Sequence, residues 1–155
     1  MFIGRLDDKA KKVSRQINLI NELDNCKLWI IGDGPDRLMY EEYNSNNDRV
    51  KFLGRKTNPY PYLKEADYFI LTSEYEGFPV TYLESIVLNK DIITTINTSD
   101  DTINMKDYAY IISKDEDIMI KEVKDIIKNN KKKKNINLEE LQELRLKKLE
   151  KIFNQ

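Results

Sequence analysis

TSEYEGFPVTYLESIVLNKDIITT, residues 72 to 95, reads as a strand end, a tight turn, a helix and the strand that follows it. Gly77 lets backbone approach a ligand closely, and Pro79 falls in the first helical turn, where proline is tolerated. The N–H groups of Gly77, Phe78 and Val80 are then free to face an anion at the start of the helix. Glu76 precedes the helix and Glu84 lies inside it, with seven residues between them. Val80, Leu83 and Val87 form the expected apolar stripe against a sheet, and Thr81, Glu84 and Leu88 form a neighbouring row that lines a cleft. A carboxylate accepts two hydroxyls at once. Two of them flanking a phosphate-facing turn suit the diols of a ribose and a hexose on either side of a diphosphate. The spacing fits a nucleotide-sugar.

Outward from this stretch, strand and helix signals alternate. Met1 to Gly4 reads as a short buried strand, and Lys11 to Leu23 as a helix, with apolar residues at 13, 17 and 20. Cys26 to Ile31 is a strand closed by Gly32-Asp33-Gly34-Pro35, and Asp36 to Asn46 is a polar helix. Val50 to Leu53 is the third strand, a loop with Pro59 and Pro61 feeds a short helix up to Glu65, and Tyr68 to Leu71 is the fourth strand. Asn89 suits a left-handed helix end, after which Asp91 to Ile96 and Ala109 to Ile112 complete six strands. Ile118 to Ile127 reads as an amphipathic helix, and residues 136 to 155 as a final one whose leucines cover a wide face. The alternation predicts an α/β domain, a doubly wound parallel sheet of about six strands spanning residues 1–155, with ligands at the carboxyl ends of the strands.

Composition excludes several classes of function. At 155 residues the chain is long enough for one core, and its 40% hydrophobic content suits a globular domain. The 26 basic and 27 acidic side chains nearly cancel, so nothing at the level of the whole chain argues for nucleic acid. The single cysteine, Cys26, cannot form an intramolecular disulfide, and no apolar run approaches the roughly 20 residues that span a bilayer. The cytoplasm is the expected location. With no histidine, acid/base chemistry and metal ligation by histidine are excluded within this chain.

Glu76-Gly-Phe-Pro-Val-Thr-Tyr-Leu-Glu84 resembles the E-x(7)-E signature of retaining GT-B glycosyltransferases of family 4, the group 1 glycosyl transferases. Phe2-Ile-Gly-Arg-Leu6, Trp29-Ile-Ile-Gly-Asp-Gly-Pro35, Val50-Lys-Phe-Leu-Gly54 and Ala66-Asp-Tyr-Phe-Ile-Leu-Thr-Ser73 follow the family's order and rough spacing. The resemblance covers about the first 95 residues. It implies the C-terminal, donor-binding half of the fold, with an acceptor-binding domain ahead of it that this chain lacks. It further implies that Glu76 holds hydroxyls of the transferred sugar, Glu84 the ribose hydroxyls, and Arg5 and Lys11 the diphosphate, with Lys9 and Lys12 close enough to share the lysine's place. The backbone of Gly77, Phe78, Pro79 and Val80 would meet phosphate or sugar, and the loop at Gly54 and Arg55 the base, leaving uridine, guanosine and adenosine donors open. No metal is expected, because two cations stabilise the leaving diphosphate. Residues 96 to 104 lack the glycines that the family carries in this loop. Alone, the chain would bind rather than catalyse. Alternative readings are a non-catalytic nucleotide-sugar module working in trans and, further off, a nucleotide-sugar epimerase.

Four other features have plainer readings. Gly32-x-Gly34 follows the second strand and has Arg37 where a dinucleotide fingerprint needs a third glycine, so a turn and helix start is expected. Asp115-Glu116-Asp117 has the D-x-D form of metal-dependent transferases but opens a predicted helix, where acidic residues are ordinary. Lys131 to Lys134 reads as a solvated linker, with attraction to anionic lipid, and so peripheral contact at the inner face of the membrane, as the alternative. Tyr60 and Tyr62, among prolines, read as packing residues.

Overall fold

The computed structural model describes residues 1–76, 79–96, 104–129, 132–133, 136–137, 139–140 and 142–143. Six parallel strands and seven helices alternate along these residues. β1 (Phe2–Ile3), β2 (Leu28–Ile31) and β3 (Val50–Gly54) form one three-stranded unit, with Phe2 opposite Ile30 and Leu28 opposite Val50. β4 (Tyr68–Leu71), β5 (Asp91–Thr94) and β6 (Ala109–Ile111) form the other, with Phe69 opposite Ile92 and Ile93 opposite Tyr110. Met1 joins them: its nitrogen donates to Tyr68 O (2.8 Å), and its carbonyl accepts from Ile70 N–H (2.8 Å). The resulting order, β3-β2-β1-β4-β5-β6, is that of a doubly wound nucleotide-binding sheet, with its switch point between β1 and β4.

The expected helix over 11 to 23 is two helices, α1 (Asp8–Lys11) and α2 (Val13–Asn21). Lys12 divides them at φ 49° and ψ 49°, a left-handed conformation that ends a helical run. Asp7 caps α1 by accepting Lys9 N–H (3.1 Å). α3 (Arg37–Tyr43) and α4 (Tyr60–Glu65) follow β2 and β3.

α5 (Val80–Val87) corrects the expected stripe. Its buried face is Tyr82, Leu83, Ser85 and Ile86, whereas Val80 is 68% exposed. Pro79 is the N-cap, with an extended ψ of 132°, rather than a member of the first turn. The helix thus begins one residue later than expected, and the side that follows Tyr82 turns to the sheet. Tyr82 is wholly buried, sits edge-on to Phe69 (ring centroids 6.3 Å apart) and shares a hydrogen bond with Thr94. Burial of a ring of this kind contributes about 1.5–3 kcal/mol. The helix ends as the asparagine predicts: Asn89 has φ 56°, and Lys90 N–H bonds Ser85 O (2.9 Å) in the six-to-one Schellman pattern.

A short helix unseen in the sequence, α6 (Met105–Tyr108), precedes β6, capped by Asn104, whose side chain accepts Lys106 N–H (3.2 Å). α7 (Glu116–Asn129) packs against α2. The lysine run is not a free linker where it is described. Lys133 N–H bonds the buried Asp91 carboxylate (3.0 Å), Lys132 Nζ lies 3.6 Å from it, and Lys133 Nζ stands over the Tyr110 ring. Ile136 is buried beyond them, so this segment docks on the sheet. Lys131, Lys134, residues 97–103 of the glycine-poor loop and most of the expected final helix lie outside the described residues. Among the described residues no helix is long and apolar enough to cross a membrane.

Candidate functional site

Three groups of side chains gather around the carboxyl ends of the strands. The first lines a cleft of about 280 Å³ beyond β1, β2 and β3, where Arg5, Arg55 and Lys56 meet Asp33 over the backbone of Gly4 and Gly32. The loops forming it are in backbone contact. Gly4 N–H bonds Ile31 O (3.0 Å), and Gly32 N–H bonds Gly54 O (3.1 Å). A Cβ at Gly32, whose φ is 147°, would stand 1.8 Å from Gly4 O, and one at Gly34 would stand 2.2 Å from Leu6 O. Gly32-x-Gly34 therefore serves loop-on-loop packing, as a turn and not as a dinucleotide fingerprint. Asp33, the one carboxylate here, accepts Gly34 N–H (2.9 Å) and lies 3.7 Å from Arg37, so the three cations dominate the cleft.

The second group centres on Glu76. Lys11 donates to its Oε1, which also accepts Ser73 Oγ (2.9 Å). The break at Lys12 makes this reach available, because the chain there is pinned to the β4–α5 loop. Thr72 Oγ1 donates to Lys12 O (2.9 Å), and Glu74 N–H donates to Ala10 O (2.8 Å). Arg15 Nη1 spans Thr72 O (3.3 Å) and Glu74 (2.9 Å), while Lys114 meets Glu74 from β6's end (3.1 Å). Hydrogen bonds from Lys114 and Arg15 hold the Glu74 carboxyl below the usual range.

The third group is Glu84 with Tyr60, whose hydroxyl donates to Glu84 Oε1 (2.8 Å). That bond raises the Tyr60 phenol above its ordinary value, and the negative charge of Glu84 adds to it. Tyr62 does pack, edge-on against Trp29 at 6.4 Å, but Tyr60 turns to the glutamate. Nothing in the local sequence signals this, because the partners are 24 residues apart.

Arg5, Gly54 and Arg55 thus share one region, with Gly54 at φ 68° turning the chain into Arg55. Lys11 is not among the residues lining the Arg5 cleft and is engaged by Glu76. Pro79 and Val80 stand at the start of α5, and Gly77 and Phe78 lie outside the described residues. Lys56 continues the Gly54 and Arg55 loop into the site, and Ser73 and Asp33 join it unforeseen. Asp115 is the cap of α7, its Oδ1 accepting Ile118 N–H (3.1 Å), which accounts for the D-x-D sequence.

Comparison with known proteins bears on the fold and the family. The lipopolysaccharide core biosynthesis glycosyltransferase LpsD of Rhizobium meliloti is 37% identical over 71 residues, 44% of this chain and 21% of that protein. The apo structure of the lipopolysaccharide outer core galactosyltransferase WaaB superposes with a TM-score of 0.68 at 23% identity, over 83% of this chain and 40% of that one. Anabaena HepE in complex with UDP superposes with a TM-score of 0.67 at 14% identity, over 85% of this chain and 40% of that one. The chain therefore spans well under half the length of these relatives. Residues 1–129 match the glycosyl transferases group 1 family, and the chain belongs to that family.

Proposed function

We propose that the chain is the donor-binding half of a retaining GT-B glycosyltransferase, taking a nucleoside-diphosphate sugar for transfer to a polysaccharide or lipid-linked acceptor. The observation that carries this reading is the grouping of Arg5, Arg55 and Lys56 in one cleft at the sheet's carboxyl edge, the edge at which α5 also starts between Glu76 and Glu84. Three cations suit a diphosphate, and carboxylates on either side of the helix start suit two diols. The UDP in the HepE complex and the lipopolysaccharide role in the names of LpsD and WaaB support the donor and acceptor classes.

In this reading Arg5 neutralises the departing diphosphate, so no metal is required, and Lys11 joins it once the donor displaces Glu76 from its ion pair. Glu76 then turns to the transferred sugar and Glu84 holds the ribose. The acceptor site and the rest of the catalytic cleft belong to a further domain, and the isolated chain binds without turnover, at a cytoplasmic site or at the inner membrane face. Calorimetry with the diphosphates of uridine, guanosine and adenosine tests it. At least one should bind at millimolar concentration or better, and Arg5→Ala should weaken that binding by about 1.5–3 kcal/mol, less at high salt. Equal affinity for nucleoside and nucleoside diphosphate would overturn it.

A further inference from the structure

The geometry points to Tyr60 as a positioning residue that sets the Glu84 carboxylate for the ribose diol, an inference resting on the donor-binding reading of Glu84. A glutamate on a helix surface has three rotatable side-chain bonds and must lose that freedom to hold a diol in two hydrogen bonds. Glu84 has no cationic partner among the described residues; its side chain is met by the Tyr60 hydroxyl at 2.8 Å. Glu76, by contrast, is met by the ammonium of Lys11. The difference matters chemically. A neutral phenol fixes the carboxylate without cancelling its charge, so Glu84 still meets neutral hydroxyls as a charged acceptor.

Stoichiometry allows the diol to bind alongside. The phenol donates one hydrogen to Oε1, which retains a lone pair, while Oε2 retains both. Tyr60 is a firm support because its helix is anchored at several points. Asn58 Oδ1 accepts Tyr60 N–H (3.2 Å), Leu63 is wholly buried, and Lys64 O accepts Lys90 Nζ from beyond α5. The residue before it, Pro59, lines the Arg5 and Arg55 cleft. Tyr60 thereby ties the carboxylate read as ribose-binding to the wall of the cationic cleft and fixes the spacing between the two.

The test is the preference for a ribose diol. The full 155-residue chain and its Tyr60→Phe and Glu84→Gln variants are titrated with uridine, guanosine and adenosine diphosphates and with their 2′,3′-dideoxy counterparts. The wild type should favour the ribose form of whichever nucleotide it binds. Tyr60→Phe should cut that preference by about three- to tenfold, the equivalent of freeing one side chain. Affinity for the dideoxy form and the thermal midpoint should not change, which a merely structural role would not reproduce. A Tyr60→Phe variant that keeps the wild-type preference while Glu84→Gln loses it would overturn the role of Tyr60 alone. Equal weakening of ribose and dideoxy forms by Tyr60→Phe would also overturn it. A wild type with no diol preference, or with no binding of any of the three, would overturn the reading of Glu84 and this inference with it.

Discussion

Lys11 and Glu76, 65 residues apart, form an ion pair across the joint between the α1–α2 break and the β4–α5 loop, and both side chains are largely shielded from water, at 24% and 14% exposure. Removing one partner from such a pair costs more than removing both, because the survivor stays desolvated without its counter-charge. Lys11→Met should therefore lower unfolding stability by about 1–3 kcal/mol, scaled down from a fully buried pair. Lys11→Met with Glu76→Gln should recover a good part of that loss. Urea unfolding of the three variants measures this. Equal losses in the single and the double variant would show that the lysine stem, and not its charge, is what the joint needs.

Lys12 carries the conformational cost of that joint. At φ 49° and ψ 49° it occupies a region where L-residues other than asparagine and aspartate are uncommon, and glycine adopts the same backbone freely. Its carbonyl accepts Thr72 Oγ1 and Arg15 N–H, which hold the bend in place. Lys12→Gly should raise stability by about 0.5–1 kcal/mol, the relief of strain exceeding the extra freedom of the unfolded chain. A lower thermal midpoint for this variant would mean that the Lys12 side chain contributes contacts larger than the strain.

The acidity of the medium should act on the 155-residue chain in two separate windows. Burial pushes the Met1 amino group, bonded to Tyr68 O, from an ordinary 8.0 down to about 5, against the opposing pull of Asp67. Between these values the unfolded chain binds a proton that the folded chain does not, so stability rises with pH from about 5 to 8, by on the order of 3–4 kcal/mol at most. Asp8 governs the acid side. Desolvation raises its carboxyl, but the hydrogen bonds from Tyr40 (2.6 Å) and from Ser14's hydroxyl and N–H win and hold it below its ordinary 3.8. Its contribution is present above that value and is lost as pH falls below it. Urea midpoints from pH 3 to 8 measure both. A flat profile from 5.5 to 7.5 would show that the Met1 amino group is hydrated in the folded chain.

The fold was largely legible because strand signals are local. Tyr68–Leu71 appears where its apolar run puts it, and Asn89 ends α5 with the left-handed backbone its short polar side chain tolerates. What the sequence obscured was set by contacts distant along the chain. The residues on either side of Lys12 show no helix breaker, and the break there is held by Thr72 and Glu74 from the β4–α5 loop together with the Asp8 carboxylate on Ser14. On α5, an apolar pattern of Val80, Leu83 and Val87 is as helical as Tyr82, Leu83 and Ile86, and the choice falls to the space beside Phe69 that Tyr82 fills. Tyr60 could not be assigned to Glu84 for the same reason: the sheet brings β3's loop to α5, and no local spacing records that.

The two glutamates differ in surroundings, and a difference in ligand dependence should follow. Glu76 precedes α5 and has Lys11 and Ser73 both on its Oε1, so its charge is already shared with a cation when a hydroxyl arrives. Glu84 lies inside the helix, is met by the neutral Tyr60 with no cation beside it among the described residues, and is ready to accept a diol at once. If Glu84 reads the ribose, which every form of the donor contains, Glu84→Ala should weaken nucleoside diphosphate and nucleotide-sugar alike, by about 1.5–3 kcal/mol for hydrogen bonds to a charged group. Glu76→Ala should spare the nucleoside diphosphate, or tighten it slightly because Lys11 is released for the phosphates, and should weaken only the nucleotide-sugar. In an enzyme carrying the acceptor domain, the Glu76 variant should lose turnover more than donor binding, since the sugar's charge changes most in the transition state. Titrating both variants with both ligands decides the matter. Identical losses for Glu76→Ala with and without the sugar would overturn the division of roles, and a Glu84→Ala variant with a shifted thermal midpoint and both affinities unchanged would reduce Glu84 to a surface partner of Tyr60.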